Sequence, residues 1–252
     1  MKLAQQRKAV QFGQRSLGNI AGFTETDALR DVCRSLPALR RKQALVKQGE
    51  NFHGLYIVRC GMLKQSHRDR SGDEQITHFF LPDDVIGLDA IEDRRYIGRV
   101  TALETVGLVQ IPFARLEEFP GAQENHLQLL CCLSRAMQRE RTRMRHMMSQ
   151  ASEVRLARFF LTMSNSFQAQ GFSPYQFRLP MTRCDIANYL CMAFETTSRL
   201  ISRFQQSGVL TAHGHEYCIE DYDALIDIAE YVKYIIINSW CFSYCLFSTE
   251  CV

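Results

Sequence analysis

The side chains best suited to chemistry in this sequence lie in a short stretch near its C-terminal end. An arginine can donate two hydrogen bonds to guanine, a glutamate can accept one from cytosine, and serine or threonine can reach several base edges. These residue types recur there on the outward side of a predicted helix: Glu195, Thr196, Ser198, Arg199, Ser202 and Arg203. Arg203 and Gln206, farther along the helix, are also suited to phosphates, which fix position rather than sequence. The stretch therefore predicts a surface that reads double-stranded DNA.

The surrounding residues have the pattern of a helix-turn-helix. Thr182 followed by Asp185 is close to a capping box, which predicts the start of a first helix, and we expect Thr182 and Arg183 to join the DNA contacts. Residues 191–193 make the turn, and the second helix ends at Gly208. The inward apolar positions of the two helices are Ile186, Ala187, Leu190, Leu200, Ile201 and Phe204. This spacing matches helix-turn-helix modules.

Two apolar runs beyond Gly208 flank His213-Gly214-His215, which predicts a β-hairpin and makes the module a winged helix. The two histidines have no further ligand cluster nearby. We therefore expect no metal site.

A different pattern precedes this module. Residues 40–115 contain short apolar runs, such as 55–58, 75–81 and 106–111, separated by turn residues. Many short strands at this spacing indicate an antiparallel sandwich or barrel. From Gly121 the pattern is helical for some thirty residues, and Ala151 to Phe167 predicts another helix.

The long helical stretch carries apolar residues at spacings of three and four, with Glu140 as a polar gap. They are Leu130, Leu133, Met137, Met144 and Met147. This heptad-like seam predicts dimerisation along the helix. The alternative is a long amphipathic core helix with a solvated basic face.

Composition limits the possible classes. The 252 residues are 46% hydrophobic and 23% charged, with a formal net charge of only +3, so any nucleic-acid surface must be local. The ten cysteines include no C-x-x-C pair, and the polar, basic residues 1–14 do not have the pattern of a signal peptide. We expect a cytoplasmic protein with reduced thiols and no membrane partner.

The motifs resemble those of the CRP/FNR family, and specifically its FNR branch. The segments 177–190 and 194–200 resemble the DNA-binding end of that branch, and further matches include 72–77, 88–91, 102–105 and 171–174. The resemblance spans roughly residues 24–230. It implies an α+β fold: an N-terminal antiparallel β-roll (cyclic-nucleotide-binding-like), a long dimerisation helix and a C-terminal winged helix-turn-helix.

Pattern and resemblance together divide the chain into domains. The lack of periodicity predicts a flexible arm at 1–22, and Thr24 is a plausible N-cap of a short helix. We expect a β-roll sensor domain at 23–120, a dimerisation helix at 121–150, a DNA-binding domain at 151–231 and an apolar tail at 232–252, which is unlike the end of the family. The resemblance also implies site residues and partners. Glu195, Ser198 and Arg199 would read a TTGAT-like half-site, repeated as an inverted palindrome. Two exposed turns would contact RNA polymerase: Ser71, Gly72 and Asp73, and Pro82, Asp83 and Asp84. The small-molecule effector stays open.

The sequence departs from the family at the positions that define its signals. FNR holds an iron–sulfur cluster on an N-terminal cysteine trio and one cysteine in the sheet, but here no cysteine precedes Cys33 and the sheet position is Val109. We therefore expect no cluster and no other cofactor. The cyclic-AMP cassette is also absent, because Leu88 follows Gly87 where a glutamate is required, and Tyr96 and Ile97 replace the arginine and serine.

The turn of the helix-turn-helix carries an unusual residue. Cys191 replaces the usual glycine there, which costs about 1 kcal/mol if the backbone is left-handed.

The second functional hypothesis is a ligand-binding β-roll that acts through protein interactions, with a weakened DNA module. No nucleophile–base pair or carboxylate dyad stands out at catalytic spacing, so we do not expect an enzyme.

Overall fold

The computed structural model describes residues 33–116, 122–148 and 151–230. The predicted N-terminal arm, the helix from Thr24 and the C-terminal tail lie outside these ranges. Two four-stranded antiparallel sheets form the N-terminal part, in the orders β1-β8-β3-β6 and β2-β7-β4-β5. Their strands are β1 Arg34–Ser35, β2 Ala44–Val46, β3 Gly54–Cys60, β4 Leu63–Arg68, β5 Glu74–Phe80, β6 Val85–Ile86, β7 Arg99–Ala102 and β8 Gly107–Pro112. The prediction of an antiparallel β-roll is confirmed.

The alternation of apolar side chains along β3 explains how this unit is layered. Tyr56 and Val58 face the core between the two sheets, while Leu55 and Ile57 face the opposite side. Successive side chains of a strand point to opposite faces, so both faces of β3 must be covered. The outer face packs against Cys132 of the long helix, which places that helix directly on the β-roll.

The C-terminal part is helical, with a small sheet in the order β10-β11-β9. A short helix, α1 Phe113–Leu116, precedes it. Its own elements are α2 Ala122–Met147, α3 Ser152–Ala169, β9 Gln176–Arg178, α4 Arg183–Tyr189, α5 Phe194–Gln206, β10 Leu210–His213, β11 Glu216–Ile219 and α6 Tyr222–Glu230. Helix α6 is not among the sequence predictions. Its signal is short: Asp221 accepts a hydrogen bond from the Ala224 backbone, and Leu225 and Ala229 are buried one turn apart.

Helix α2 exposes an apolar stripe along its length. Leu130, Met137 and Met144, seven residues apart, have 59%, 55% and 59% of their surfaces exposed. Leu127 and Met148 extend the same stripe, with the polar Ser134 and Arg141 between them. Leu133 and Met147, which belong to the predicted seam, are instead half-buried against their own chain. The exposed seam therefore differs from the predicted one in its second row.

The β5–β6 turn is fastened to α2 by a charged contact. Asp84 is 8% exposed, its carboxylate accepts a hydrogen bond from the Leu81 backbone at 2.9 Å, and it pairs with Arg139 of α2. The prediction that Asp84 is an exposed loop residue is therefore wrong. The carboxylate closes the turn and holds the helix, so it is withdrawn from the surface.

Glu140, the polar gap in the predicted seam, has a structural partner on the β-roll. Its carboxylate lies 3.4 Å from Nδ1 of His78 and accepts a hydrogen bond from Nε of Arg143 at 2.9 Å. The hydrogen bond from His78, with the adjacent Arg143, lowers the pKa of Glu140 to about 2 despite its partial burial. Glu140 thus joins α2 to β5.

One apolar cluster spans the junction between the β-roll and the winged helix. Phe79 and Leu81 of the β-roll belong to the same buried cluster as Phe159 of α3 and Leu190 at the end of α4. Within the ranges that the structure describes, no helix combines the length and apolar character needed to cross a membrane.

Replacing Glu140 with glutamine should change how stability depends on pH. A carboxyl group whose pKa is depressed by folding stabilises the folded state above its ordinary pKa, and this contribution is lost as pH falls towards the folded value. Wild type should therefore exceed Glu140→Gln in unfolding free energy by at most about 1 kcal/mol at pH 7, because the contact is partly exposed. The difference should shrink between pH 5 and about 2. Urea unfolding at several pH values measures this, and parallel curves would contradict it.

Candidate nucleic-acid interface

The first helix of the predicted DNA-binding module begins with a complete capping box. The Thr182 side chain accepts from the Asp185 backbone at 3.1 Å, and the Asp185 carboxylate accepts from the Thr182 backbone at 2.9 Å. Two of the unpaired N–H groups at the helix start are satisfied reciprocally. Ile186 and Ala187 are buried beneath the helix, so its entry and its packing face are both fixed.

The turn between the two helices passes through a strained residue. Cys191 has φ of 52°, in the left-handed region that favours glycine, and the backbone of Met192 then donates to the carbonyl of Ala187. The condition under which a cysteine at this position costs about 1 kcal/mol is therefore met. The turn nevertheless has the geometry that leads into a second helix, so Cys191 does not prevent the module from forming.

Helix α5 is held by its apolar face. Leu200, Ile201 and Phe204 are buried, and the hydroxyl of the buried Thr197 donates to the Ala193 carbonyl at 3.3 Å. Ala193 at the N-cap offers no side-chain acceptor, so the first backbone N–H groups of α5 stay available to an anion. The start of this helix is therefore suited to a phosphate.

The structure brings most of the predicted DNA contacts to one surface. Glu195, Arg199 and Ser202 are exposed along α5, and Thr196 and Ser198 are half-buried beside them. Thr182 is exposed at the start of α4, and Arg183 donates to the Ser198 hydroxyl at 3.4 Å, which links the two helices. Arg203 differs from the rest because it is paired with Glu153 of α3.

An interdomain contact that the sequence did not reveal holds α4 against the β-roll. The Asn188 side chain donates to the Glu74 carbonyl at 2.7 Å and accepts from the Ile76 backbone at 2.6 Å. The Gln75 side chain donates in turn to the Asn188 carbonyl at 2.6 Å. A lone asparagine in a short helix gives no sign of a partner more than a hundred residues away, so sequence reasoning had no signal to use.

An ion pair strengthens the same contact. Lys64 of β4 lies 2.7 Å from the Asp185 carboxylate, and both side chains are largely buried. Burial alone would raise the pKa of Asp185, but hydrogen bonds from Lys64 and Thr182 hold it below its ordinary value. The residue that caps α4 is therefore also the residue that ties it to the sensor sheet.

A cavity of about 620 Å³, here named the sensor cavity, lies between the β-roll and α2. Leu88 and Ile97, at two of the positions where the cyclic-AMP cassette has polar residues, both line it. Tyr96 turns away into the core, where its hydroxyl donates to the Gly54 carbonyl at 2.8 Å. These residues do not fit the phosphate of a cyclic nucleotide.

Two loop arginines near this cavity, Arg94 and Arg95, contact groups of the protein itself. Arg94 lies over the ring of Phe113 at 3.7 Å, and Arg95 donates to the Gly49 carbonyl at 3.0 Å. Neither they nor Arg99 line the sensor cavity. An anion site built from these three arginines is not supported.

The residues also fail to fit an iron–sulfur cluster of the FNR kind. Among the described residues, no three cysteine, histidine or acidic side chains converge on a common point. Val109, at the in-sheet ligand position, presents an apolar and nearly buried side chain. The residues present therefore do not support a function that depends on an iron–sulfur cluster.

Two turns were predicted to meet RNA polymerase, and they differ in exposure. Ser71, Gly72 and Asp73 are exposed at the tip of the β4–β5 hairpin, where the Asp69 carboxylate accepts from the Ser71 hydroxyl. Pro82 is half-buried and Asp83 is exposed with φ of 73°. Without Asp84, the second surface reduces to Pro82 and Asp83.

Comparison with known proteins agrees with this architecture. Residues 37–120 match the cyclic nucleotide-binding domain model and residues 154–228 match the Crp-like helix-turn-helix domain model. The chain is 37% identical over 206 residues to the transcriptional activator protein FnrA of Stutzerimonas stutzeri, covering 81% of this chain and 84% of that protein. It is also 37% identical to the fumarate and nitrate reduction regulatory protein of Escherichia coli strain K12, covering 83% and 84%.

Among solved structures, FixK2 from Bradyrhizobium japonicum superimposes with a TM-score of 0.71 at 22% identity, over 78% of this chain and 97% of that one. This likeness supports the fold. The β-roll and the winged helix define the class of protein, and the sequence match extends over most of the chain. The chain belongs to the CRP/FNR family of transcription regulators, with a helix-turn-helix DNA-binding domain.

Replacing Asn188 with alanine should loosen the contact between α4 and the β-roll. It removes two hydrogen bonds from the backbone of β5, which should lower the unfolding free energy by about 1–3 kcal/mol. Urea unfolding measures the loss, and hydrogen exchange should show faster exchange at the Ile76 amide. Asn51→Ala, at an exposed position of the β-roll, is the control and should cost less than about 0.5 kcal/mol. An unchanged Ile76 exchange rate would show that the contact does not persist in solution.

Proposed function

We propose that this protein is a sequence-specific transcription regulator that binds a palindromic, TTGAT-like DNA site as a homodimer. The observation that carries the proposal is the outward row of Glu195, Ser198 and Arg199 on a helix whose opposite face is anchored by Leu200, Ile201 and Phe204. A recognition helix needs both features, because base discrimination depends on a fixed helix and free polar side chains.

The recognition surface combines base reading with phosphate positioning. Arg199 and Glu195 are exposed and suited to base edges, while the uncapped start of α5 and the nearby Arg183 are suited to the backbone. Arg203 is placed to exchange Glu153 for a phosphate when DNA approaches. With a formal net charge of only +3, we expect this local surface rather than a global field to determine binding.

The exposed stripe of α2 supports the homodimer. Leu127, Leu130, Met137, Met144 and Met148 form a seam with alternating spacings of three and four when Ser134 and Arg141 are included. Such a seam buries its apolar area against a second copy of the same helix. Two copies related by a two-fold axis present two recognition helices, which accounts for an inverted repeat in the DNA.

Contact with RNA polymerase is the third part of the proposal. Ser71, Gly72, Asp73, Pro82 and Asp83 remain the candidate surface, of which the hairpin tip is the more exposed part. The relative in Stutzerimonas stutzeri is named a transcriptional activator, which favours activation here as well.

Arg199→Ala should weaken specific DNA binding by about 10- to 100-fold, because one bidentate base contact is worth about 1–3 kcal/mol. Fluorescence anisotropy at fixed salt, with an inverted TTGAT-like repeat and a scrambled duplex, measures the loss. Arg41→Ala removes the same charge from an exposed turn of the β-roll and should leave the affinity unchanged. Equal loss on both duplexes would show that Arg199 contacts phosphate rather than a base.

Met137→Glu should convert the dimer to monomer, because two carboxylates would face each other across the seam. Sedimentation velocity measures the oligomeric state. Gln138→Glu adds the same charge one position away from the stripe and should leave the dimer intact. A Met137→Glu protein that remains dimeric would place the dimer contact elsewhere.

A further inference from the structure

A second cavity, of about 690 Å³, lies between α2, α3, the β5–β6 turn and the end of α4. We name it the hinge cavity, because it occupies the space where the β-roll meets the winged helix. It shares one wall with the sensor cavity, formed by the Arg139–Asp84 pair and the His78–Glu140 contact. Its volume is within the range of small-molecule sites, roughly 300–1,000 Å³.

The hinge cavity contains an arginine that no carboxylate of the described residues balances. Four arginines line it: Arg139 is paired with Asp84, Arg143 is paired with Glu140, and Arg135 donates to the Cys131 carbonyl at 3.3 Å. Arg155 of α3 forms no ion pair with the described residues; its Nη2 donates to the Ser152 hydroxyl at 3.3 Å. The Nε of Arg155 is buried without a hydrogen-bond partner.

An unsatisfied buried donor on a charged group is costly, and an oxyanion is the acceptor that would satisfy it best. The cavity lining holds four arginines against three carboxylates, Asp83, Asp84 and Glu140. It also includes His146, whose pKa is lowered by burial together with Arg158 and Arg145. A bound anion would relieve both groups at once. The polar side of the cavity is therefore suited to a carboxylate or a phosphate.

The opposite side of the cavity is apolar. Phe79, Phe159 and Tyr189 line it, with the Tyr189 ring 4.9 Å from that of Phe79 and 6.0 Å from that of Phe159. Leu81 and Met163 continue this wall. A site with one cationic side and one aromatic side favours a ligand with an anionic group on an apolar body.

We propose that the hinge cavity binds a small organic anion, a carboxylate or phosphate on an aromatic or aliphatic body, with Arg155 as its principal anchor. The site is distinct from the sensor cavity, whose lining includes neither Arg155 nor His146. It is walled by α2 on one side and by Tyr189 and Leu190 of the DNA-binding module on the other. A ligand there contacts both units.

The regulatory consequence rests on the proposed function. A ligand stabilises whichever arrangement of the two units forms its site, by an amount that its concentration and affinity determine. If that arrangement differs in DNA affinity from the alternative, the ligand is an effector by linkage.

The test uses 1-naphthyl phosphate as probe, with 1-naphthol as the neutral counterpart and 1-naphthoate as the carboxylate form. Isothermal titration of the full chain without DNA should show saturable binding of the two anions, at least tenfold tighter than 1-naphthol. Arg155→Gln should weaken the anions at least tenfold, Arg155→Lys should weaken them less, and the exposed control Arg41→Gln should not weaken them.

Methyl resonances locate the bound probe independently of any substitution. In the protein labelled with methyl-¹³C methionine, Met147 and Met163, which line the hinge cavity, should shift on addition of 1-naphthyl phosphate. Met144, which is exposed on α2 and lines neither cavity, should not shift. A shift confined to Met137, which lines the sensor cavity, would assign the probe to that cavity and overturn the proposal.

Two further outcomes would also overturn it: equal affinity of wild type and Arg155→Gln, or equal affinity for 1-naphthol and the anions. Because this titration contains no DNA, its failure leaves the DNA-binding proposal intact. Loss of DNA recognition in the anisotropy experiment would likewise leave the cavity result standing. Anisotropy titrations with and without the saturating probe then measure the linkage directly.

Discussion

The edge of strand β5 is the constraint on which the arrangement of the whole chain depends. β5 ends its sheet, so one side of its backbone has no strand partner, and an uncovered edge invites pairing with another chain. Asn188 covers it by supplying one donor and one acceptor to Glu74 and Ile76. From the same strand, His78 contacts Glu140 of the long helix. One strand thus positions both α2 and the helix-turn-helix.

The elements could be predicted from the sequence because their signals are local. Thr182 and Asp185 are three residues apart, the apolar face of α5 repeats at helical spacing, and Cys191 stands where a left-handed turn is needed. Each pattern is complete within a few residues, so periodicity and capping rules suffice. The resemblance to the CRP/FNR family then supplied the order of the domains.

What the sequence did not show are contacts between distant segments. The burial of Asp84 depends on Arg139, fifty-five residues later, and the partners of Asn188 lie more than a hundred residues earlier. The second row of the predicted α2 seam differs from the exposed stripe for a related reason. A heptad pattern indicates which residues are apolar, but whether Leu133 and Met147 face a partner or their own chain depends on where the β-roll lies.

The contact made by Asn188 has a consequence for how this sequence can diverge. The partners of its side chain are a carbonyl and an amide of the main chain, which all residues share except that proline has no amide. Mutation can therefore alter the side chains of Glu74 and Ile76 without removing the atoms that Asn188 binds, and proline at position 76 is the one exchange that deletes a partner. The attachment between the two units can in this way persist while the side chains of the strand that receives it change.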